Sequence, residues 1–204
     1  MTKKIRSGVE IYNKDEQPIG KSWEEWTTEW WRWFLSTPKS RHPSCNNPPE
    51  GTAECYRDSD VIFLAATPMG KNRRRIFVPA KKAVLFPVIN FTISYSEEPT
   101  LKTDAEMIGR AKLNIDDIVK KEANIDGIDL AISENNRVRT PPFDFTFPKD
   151  NIYGVREGPT RGVGDGFWIF VKPLRRGSHK IRTYGSCLSG RVEIEANVDL
   201  VVES

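Results

Sequence analysis

The stretch that most restricts the fold is RVEIEANVDLVV, residues 191–202. Apolar side chains alternate with polar or charged ones through almost the whole run. A period of two places the apolar residues on one face of a β-strand and the polar residues on the other. The chain must therefore build a sheet that has one buried face and one face in water.

Other segments carry strand signals of the same kind. Pro87 lies within one of them and indicates an edge strand or a bulge, and Asp126-Gly127 is typical of a tight turn. The succession of strands favours a mainly β fold, an antiparallel jelly-roll-like β-sandwich over residues 60–202. The predicted strands are 60–66, 73–80, 83–94, 143–147, 166–174, 177–185 and 191–202.

A tryptophan-rich helix is predicted over residues 22–35. Five of the six tryptophans lie in this segment, and Ser22 with Glu25 fits a capping box. The aromatic residues recur every three or four positions, which places them on one side, whereas the glutamates opposite them disfavour binding to an anionic membrane. We therefore expect a core role for this stripe: Trp23, Trp26, Trp30, Trp33 and Phe34.

The remaining segments complete one domain over residues 1–204. Residues 1–20 have the character of an extended arm, which is one route to a homo-oligomer. Residues 103–122 have helical apolar spacing and predict a helical insertion between strands. No linker divides the chain, and its length suits a single large β domain.

As a set, several motifs of the chain resemble an uncharacterised prokaryotic family that has a Trp-rich opening helix followed by a jelly-roll-like β domain. The resemblance covers about residues 18–202 and implies no activity, substrate or catalytic residue. Its members, archaeal or bacterial, often carry an export leader. The motifs are GKSWEEWTTEWWRWFLSTP, HPSCNNPPEGTAEC, VIFLA, RRRIFVPAKKAVLFPVIN, GDGFWIFVKPLRRGSHKI and the final alternating strand.

A glycine-rich segment, residues 156–168, is interpreted as a flexible loop at one end of the sandwich. Loops of this kind commonly hold binding residues. Arg161, Asp165 and Trp168 are therefore predicted to form a ligand rim, with further contacts from the loop at 40–58. The alternative is turn chemistry alone, with glycine at positive φ and aspartate in local turns.

The chain contains two histidines and three cysteines. His42, His179 and Asp165 form one hypothetical metal site, of the kind that jelly-roll enzymes build inside their barrel. Cys45 and Cys55 allow three interpretations: free thiols, a disulfide that closes a short loop, or zinc ligands together with His42. A histidine held by structural hydrogen bonds is the commoner alternative for both imidazoles.

Composition bounds the function only coarsely. The net charge of +3 is too small to indicate nucleic-acid binding, and the basic clusters at 73–75, 81–82 and 175–176 suit strand edges and turns. The first residues lack an apolar run, so a cytoplasmic location is expected, or export if a leader has been removed.

No catalytic or nucleotide-binding motif is present in the sequence. We expect a binding or self-assembling module without a cofactor, for a small polar ligand or a carbohydrate. The alternatives are a metal-dependent jelly-roll enzyme, and binding of nucleic acid or phosphate through the basic clusters.

Overall fold

A computed structural model describes residues 8–44, 59–65 and 70–203, with the backbone alone for Asn72. The fold is mainly β, as predicted, with 45% strand and 20% helix. The α-helices are α1 (Trp23–Ser36) and α2 (Asp104–Asp116). The strands are β1 (Val61–Phe63), β2 (Gly70–Pro79), β3 (Ala83–Ser94), β4 (Ile118–Ile125), β5 (Ile128–Leu130), β6 (Arg137–Arg139), β7 (Phe143–Phe147), β8 (Gly158–Val171), β9 (Gly177–Cys187) and β10 (Glu193–Glu203).

The strands form two five-stranded sheets. Sheet A has the order β1-β3-β8-β6, with β7 also paired to β8, and sheet B has the order β2-β10-β9-β4-β5. The prediction of purely antiparallel sheets is wrong, because β1 pairs with β3 in parallel and β2 pairs with β10 in parallel. The jelly-roll topology stays a prediction.

Sheet A is the middle layer of the molecule. One of its faces packs on sheet B, where Phe86 and Ile169 meet Leu200 in one apolar cluster. The other face packs under α1, where Trp30 lies against Trp168 with ring centroids 5.1 Å apart. Sheet A is therefore buried on both faces, whereas sheet B has one buried face and one polar face, as the alternation in β10 predicts.

Helix α1 begins as its sequence predicts. The Ser22 hydroxyl accepts a hydrogen bond from the backbone N–H of Glu25, whose carboxylate accepts one from the N–H of Ser22. The tryptophans of α1 are 1–3% exposed except Trp33, which is partly buried against the same cluster. At about 150–250 Å² of buried area for each large aromatic ring, this layer contributes much of the apolar burial.

The glycine-rich segment is not a loop. Residues 158–171 form β8, the strand that pairs with β3, β6 and β7. A Cβ atom placed on Gly164 would lie 2.1 Å from Nε1 of Trp31. The glycine is therefore needed so that an indole can rest directly on the strand, which turn chemistry does not explain.

Three local predictions need correction or qualification. The helical insertion ends at Asp116, because residues 118–125 form β4, so only its first part is helical. The junction PLRRG, which the adjacent predicted strands 166–174 and 177–185 would make hairpin-like, is not a hairpin, since β8 and β9 lie in different sheets. The described part of the arm pairs with its own chain, through an antiparallel bridge between Ile11 and Val171; oligomerisation through the arm stays a prediction.

Two turn predictions agree with the structure. The pairing of β3 with β8 shifts register between Pro87 and Ile89, which is the bulge that the proline indicates. Asp126 and Gly127 both have positive φ and connect β4 to β5 as a tight hairpin. Within the described ranges, neither α-helix has the length and apolar character needed to cross a bilayer.

Candidate functional site

A cavity of about 290 Å³ lies between α1 and β3, and we call it the α1–β3 cavity. The whole run from Pro87 to Ile93 lines it, immediately after the part of β3 that pairs with β1. Helix α1 contributes an aromatic wall. The other lining residues come from α2, β10 and two connecting segments: Glu97, Asn114, Tyr153 and Ile194.

The bulge at Pro87 sets which side chains of β3 face α1. Asn90 lies opposite Gly166 of β8, and a Cβ on Gly166 would approach the Asn90 Cβ to 2.5 Å. Gly164, two positions away on the same face of β8, lies under Trp31. Asn90 is therefore a polar side chain placed between sheet A and the aromatic layer.

Two N–H donors on residues that line this cavity have no partner among the described residues. Nε1 of Trp31 and Nδ2 of Asn90 are both shielded from solvent, and no acceptor among the described residues bonds them. Trp31 is 2% exposed. Leaving a buried donor unsatisfied costs about 1–3 kcal/mol. An acceptor from outside the chain, such as water or a ligand oxygen, would remove that cost.

Glu97 brings a carboxyl group to the same cavity. The Ser94 hydroxyl donates to its Oε2 at 2.6 Å. Burial raises the pKa of Glu97 to about 7, opposed by the bond from Ser94 and reinforced by the nearby Glu98 carboxylate. Burial also raises the pKa of Tyr153, which keeps its hydroxyl neutral at physiological pH.

The predicted rim of Arg161, Asp165 and Trp168 does not form, because these residues of β8 have separate surroundings. Asp165 is fully buried and accepts two hydrogen bonds from Arg137, at 3.1 and 2.8 Å. Trp168 is fully buried under α1. Arg161 instead forms ion pairs with carboxylates at 3.1 and 2.8 Å, those of Asp104 and Asp144.

The hypothetical metal ligands are also apart. His42 Nε2 lies 2.8 Å from the Phe34 carbonyl, and its Nδ1 accepts from the Ser44 N–H. Burial lowers the pKa of His42 to about 4, so this imidazole is neutral. His179 lies 2.7 Å from Asp126 Oδ2 and 2.8 Å from the Arg175 carbonyl. In the described part of the chain, no three His, Cys, Asp or Glu side chains are placed to hold a metal.

The predictions for Cys45 and Cys55 lie outside the described residues, as does most of the loop at 40–58. Of the described cysteines, Cys187 is a buried free thiol. The basic clusters are split by strand alternation: Arg73 pairs with Asp199 on the outer face of sheet B, whereas the Arg74 guanidinium donates to the Pro43 carbonyl. The 73–75 cluster is therefore not one continuous basic surface.

The residues of the α1–β3 cavity were not predicted as a site. Asn90 could have been found from sequence, because it is a lone amide within the apolar run AVLFPVINFTIS. Glu97 gives no such signal, because it lies in a polar segment and its burial depends on distant elements. Trp31 lies in the predicted Trp-rich helix, but its lack of a hydrogen-bond partner among the described residues is visible only in three dimensions.

Comparisons with known proteins leave the family open. No family model matches the chain, and no curated protein sequence matches it. The chain is similar to one in the structure of PbICP-C in complex with falcipain-2, with 10% sequence identity and a TM-score of 0.29. The match covers 69% of this chain and 98% of that chain. A TM-score this low supports no argument about fold or function.

Proposed function

We propose that this protein is a binding module for a small polar ligand, which it holds in the α1–β3 cavity. The observation that carries the proposal is the pair of buried donors on Trp31 and Asn90, which no acceptor in the described part of the chain bonds. Both residues are among those that line the α1–β3 cavity. An acceptor-bearing ligand satisfies both donors and recovers the free energy lost by their burial.

Carbohydrate is the ligand class that best suits the walls. The cavity volume of about 290 Å³ lies just below the usual range for small-molecule sites, roughly 300–1,000 Å³, so a ligand the size of one sugar ring suits it. Trp30 and Phe34 supply aromatic surface for the C–H face of a sugar ring. Sugar hydroxyls both accept and donate hydrogen bonds. They can accept from the Asn90 amide and the Trp31 indole, and they can donate to the Glu97 carboxyl group.

Titration calorimetry with a panel of monosaccharides and linear polyols tests this proposal. We expect at least one sugar to bind, and Asn90→Ala to weaken it about 5- to 30-fold, the equivalent of one hydrogen bond of about 1–2 kcal/mol. Asn135→Ala is the matched control, because Asn135 is an exposed asparagine outside the cavity. Equal affinities for the two variants, or no binding by any sugar, would contradict the proposal.

A further inference from the structure

The α1–β3 cavity contains one carboxyl group without a balancing cation. Among its lining residues, all of which are described, Glu97 alone is acidic and none is Lys or Arg. The charged neighbour in its own turn is Glu98, which pairs with Arg110 at 3.0 Å. The cavity is also lined by Tyr153 and Asn114, which are both neutral.

Other residues that line the α1–β3 cavity also suit a positive charge. Trp30 and Phe34 stack with ring centroids 4.7 Å apart and present aromatic surface to the same cavity. Aromatic faces attract ammonium groups, most strongly where water is excluded. A second carboxylate, that of Glu98, lies close enough to disfavour ionisation of Glu97, and a bound cation would relieve this repulsion.

Asn90 and Glu97 belong to different stretches of the cavity wall. Asn90 projects from the middle of β3, whereas Glu97 follows the end of that strand. A ligand that fits both must therefore accept hydrogen bonds in one part and donate in another. A neutral sugar satisfies the donors but leaves the carboxylate without a charge partner.

We infer that the ligand is an amine-bearing sugar, whose protonated amino group pairs with Glu97 while its oxygens accept from Asn90 and Trp31. This inference rests on the proposed function and narrows it from polar ligands in general to cationic ones. Glu97 would then determine the preference for an amine, whereas Asn90 would contribute to the affinity for every sugar.

The test compares glucosamine, N-acetylglucosamine and glucose by calorimetry at neutral pH. We expect glucosamine to bind at least tenfold more tightly than the other two. The isosteric variant Glu97→Gln should reduce that difference to about twofold. The matched control is Glu98→Gln, which removes the neighbouring carboxylate outside the cavity lining and should keep the preference.

Proton linkage gives a second readout on the unmodified protein. Pairing with an amine ionises Glu97, so glucosamine binding should release protons into the buffer, and the apparent enthalpy should change between buffers of different ionisation enthalpy. Glucose binding should show no such release. Equal affinity for the three sugars, or proton release that persists in Glu97→Gln, would contradict the inference that the ligand carries an amine. The proposal that the protein binds a sugar would then still hold. Failure of all three to bind would overturn the proposed function itself.

Discussion

Replacing Asp165 by Asn should strongly destabilise the fold. Asp165 is fully buried in β8, and its two oxygens accept from Nε and Nη2 of Arg137. Removing one partner of a buried ion pair costs about 3–5 kcal/mol, because the other charge stays buried. Arg137 keeps a 2.7 Å bond to Asp116 and is 20% exposed, so we expect the lower end, about 3 kcal/mol.

Thermal unfolding followed by circular dichroism measures this effect. For a chain of this length, 1 kcal/mol shifts the Tm by about 2–4 °C, so a loss of about 6–12 °C is expected. Asp144→Asn is the control: it removes an ion pair whose carboxylate is 76% exposed, and its Tm should stay within error of the wild type.

A second variant isolates the cause. In the double variant Asp165→Asn/Arg137→Met no buried cation remains, so most of the lost stability should return. An Asp165→Asn protein with wild-type Tm would refute the reasoning, since the pair would then contribute nothing. A double variant less stable than Asp165→Asn would show that Arg137 acts mainly through its packing or through Asp116.

Three further predictions address the aromatic layer and the buried histidine. Gly164→Ala would place a Cβ 2.1 Å from Trp31 Nε1 and should lower the free energy of unfolding, measured in urea, by about 1–3 kcal/mol. The control Gly109→Ala, on the open face of α2, should leave that free energy unchanged or raise it. His42 has a pKa near 4 in the folded protein and about 6.5 in the unfolded chain. Its contribution to the free energy of unfolding is therefore complete above pH 6.5 and declines as the pH falls toward 4. Between pH 7 and 4, the free energy of unfolding of the wild type should fall by about 3 kcal/mol more than that of His42→Gln. Equal losses would contradict that assignment. Tryptophan emission should be blue-shifted and poorly quenched by acrylamide, because five of the six indoles are 0–3% exposed, and red-shifted emission would place α1 away from sheet A.

Sequence predicted the elements whose local pattern agrees with their environment. Strand β10 alternates because only one of its faces is buried, and α1 begins at a capping box that needs no tertiary contact. The bulge at Pro87 follows from a residue that lacks an N–H and disturbs regular pairing. In each case the cause lies within a few residues of the effect.

The predictions that failed concern residues whose surroundings are set by distant parts of the chain. Strand β8 contains glycine where a distant indole rests on the backbone, so its sequence has turn composition although it lies at the centre of sheet A. In the sequence, Asp165 lies in a glycine-rich segment typical of a loop. Its burial is explained only by the ion pair with Arg137 of the neighbouring strand β6. The parallel pairings and the α1–β3 cavity likewise depend on which elements become neighbours, which no local period encodes.

The parallel pairing of β2 with β10 has a consequence for how the chain reaches this fold. Every strand from β3 to β9 lies between these two partners in sequence. Closing a loop of that length is slow, so we expect β2 to remain unpaired while sheet A and α1 assemble. During that interval the cationic side chains of Lys71, Arg73 and Arg75 would repel the same strand in another molecule. The charges on the polar face of sheet B would thus act before folding is complete, as protection against aggregation.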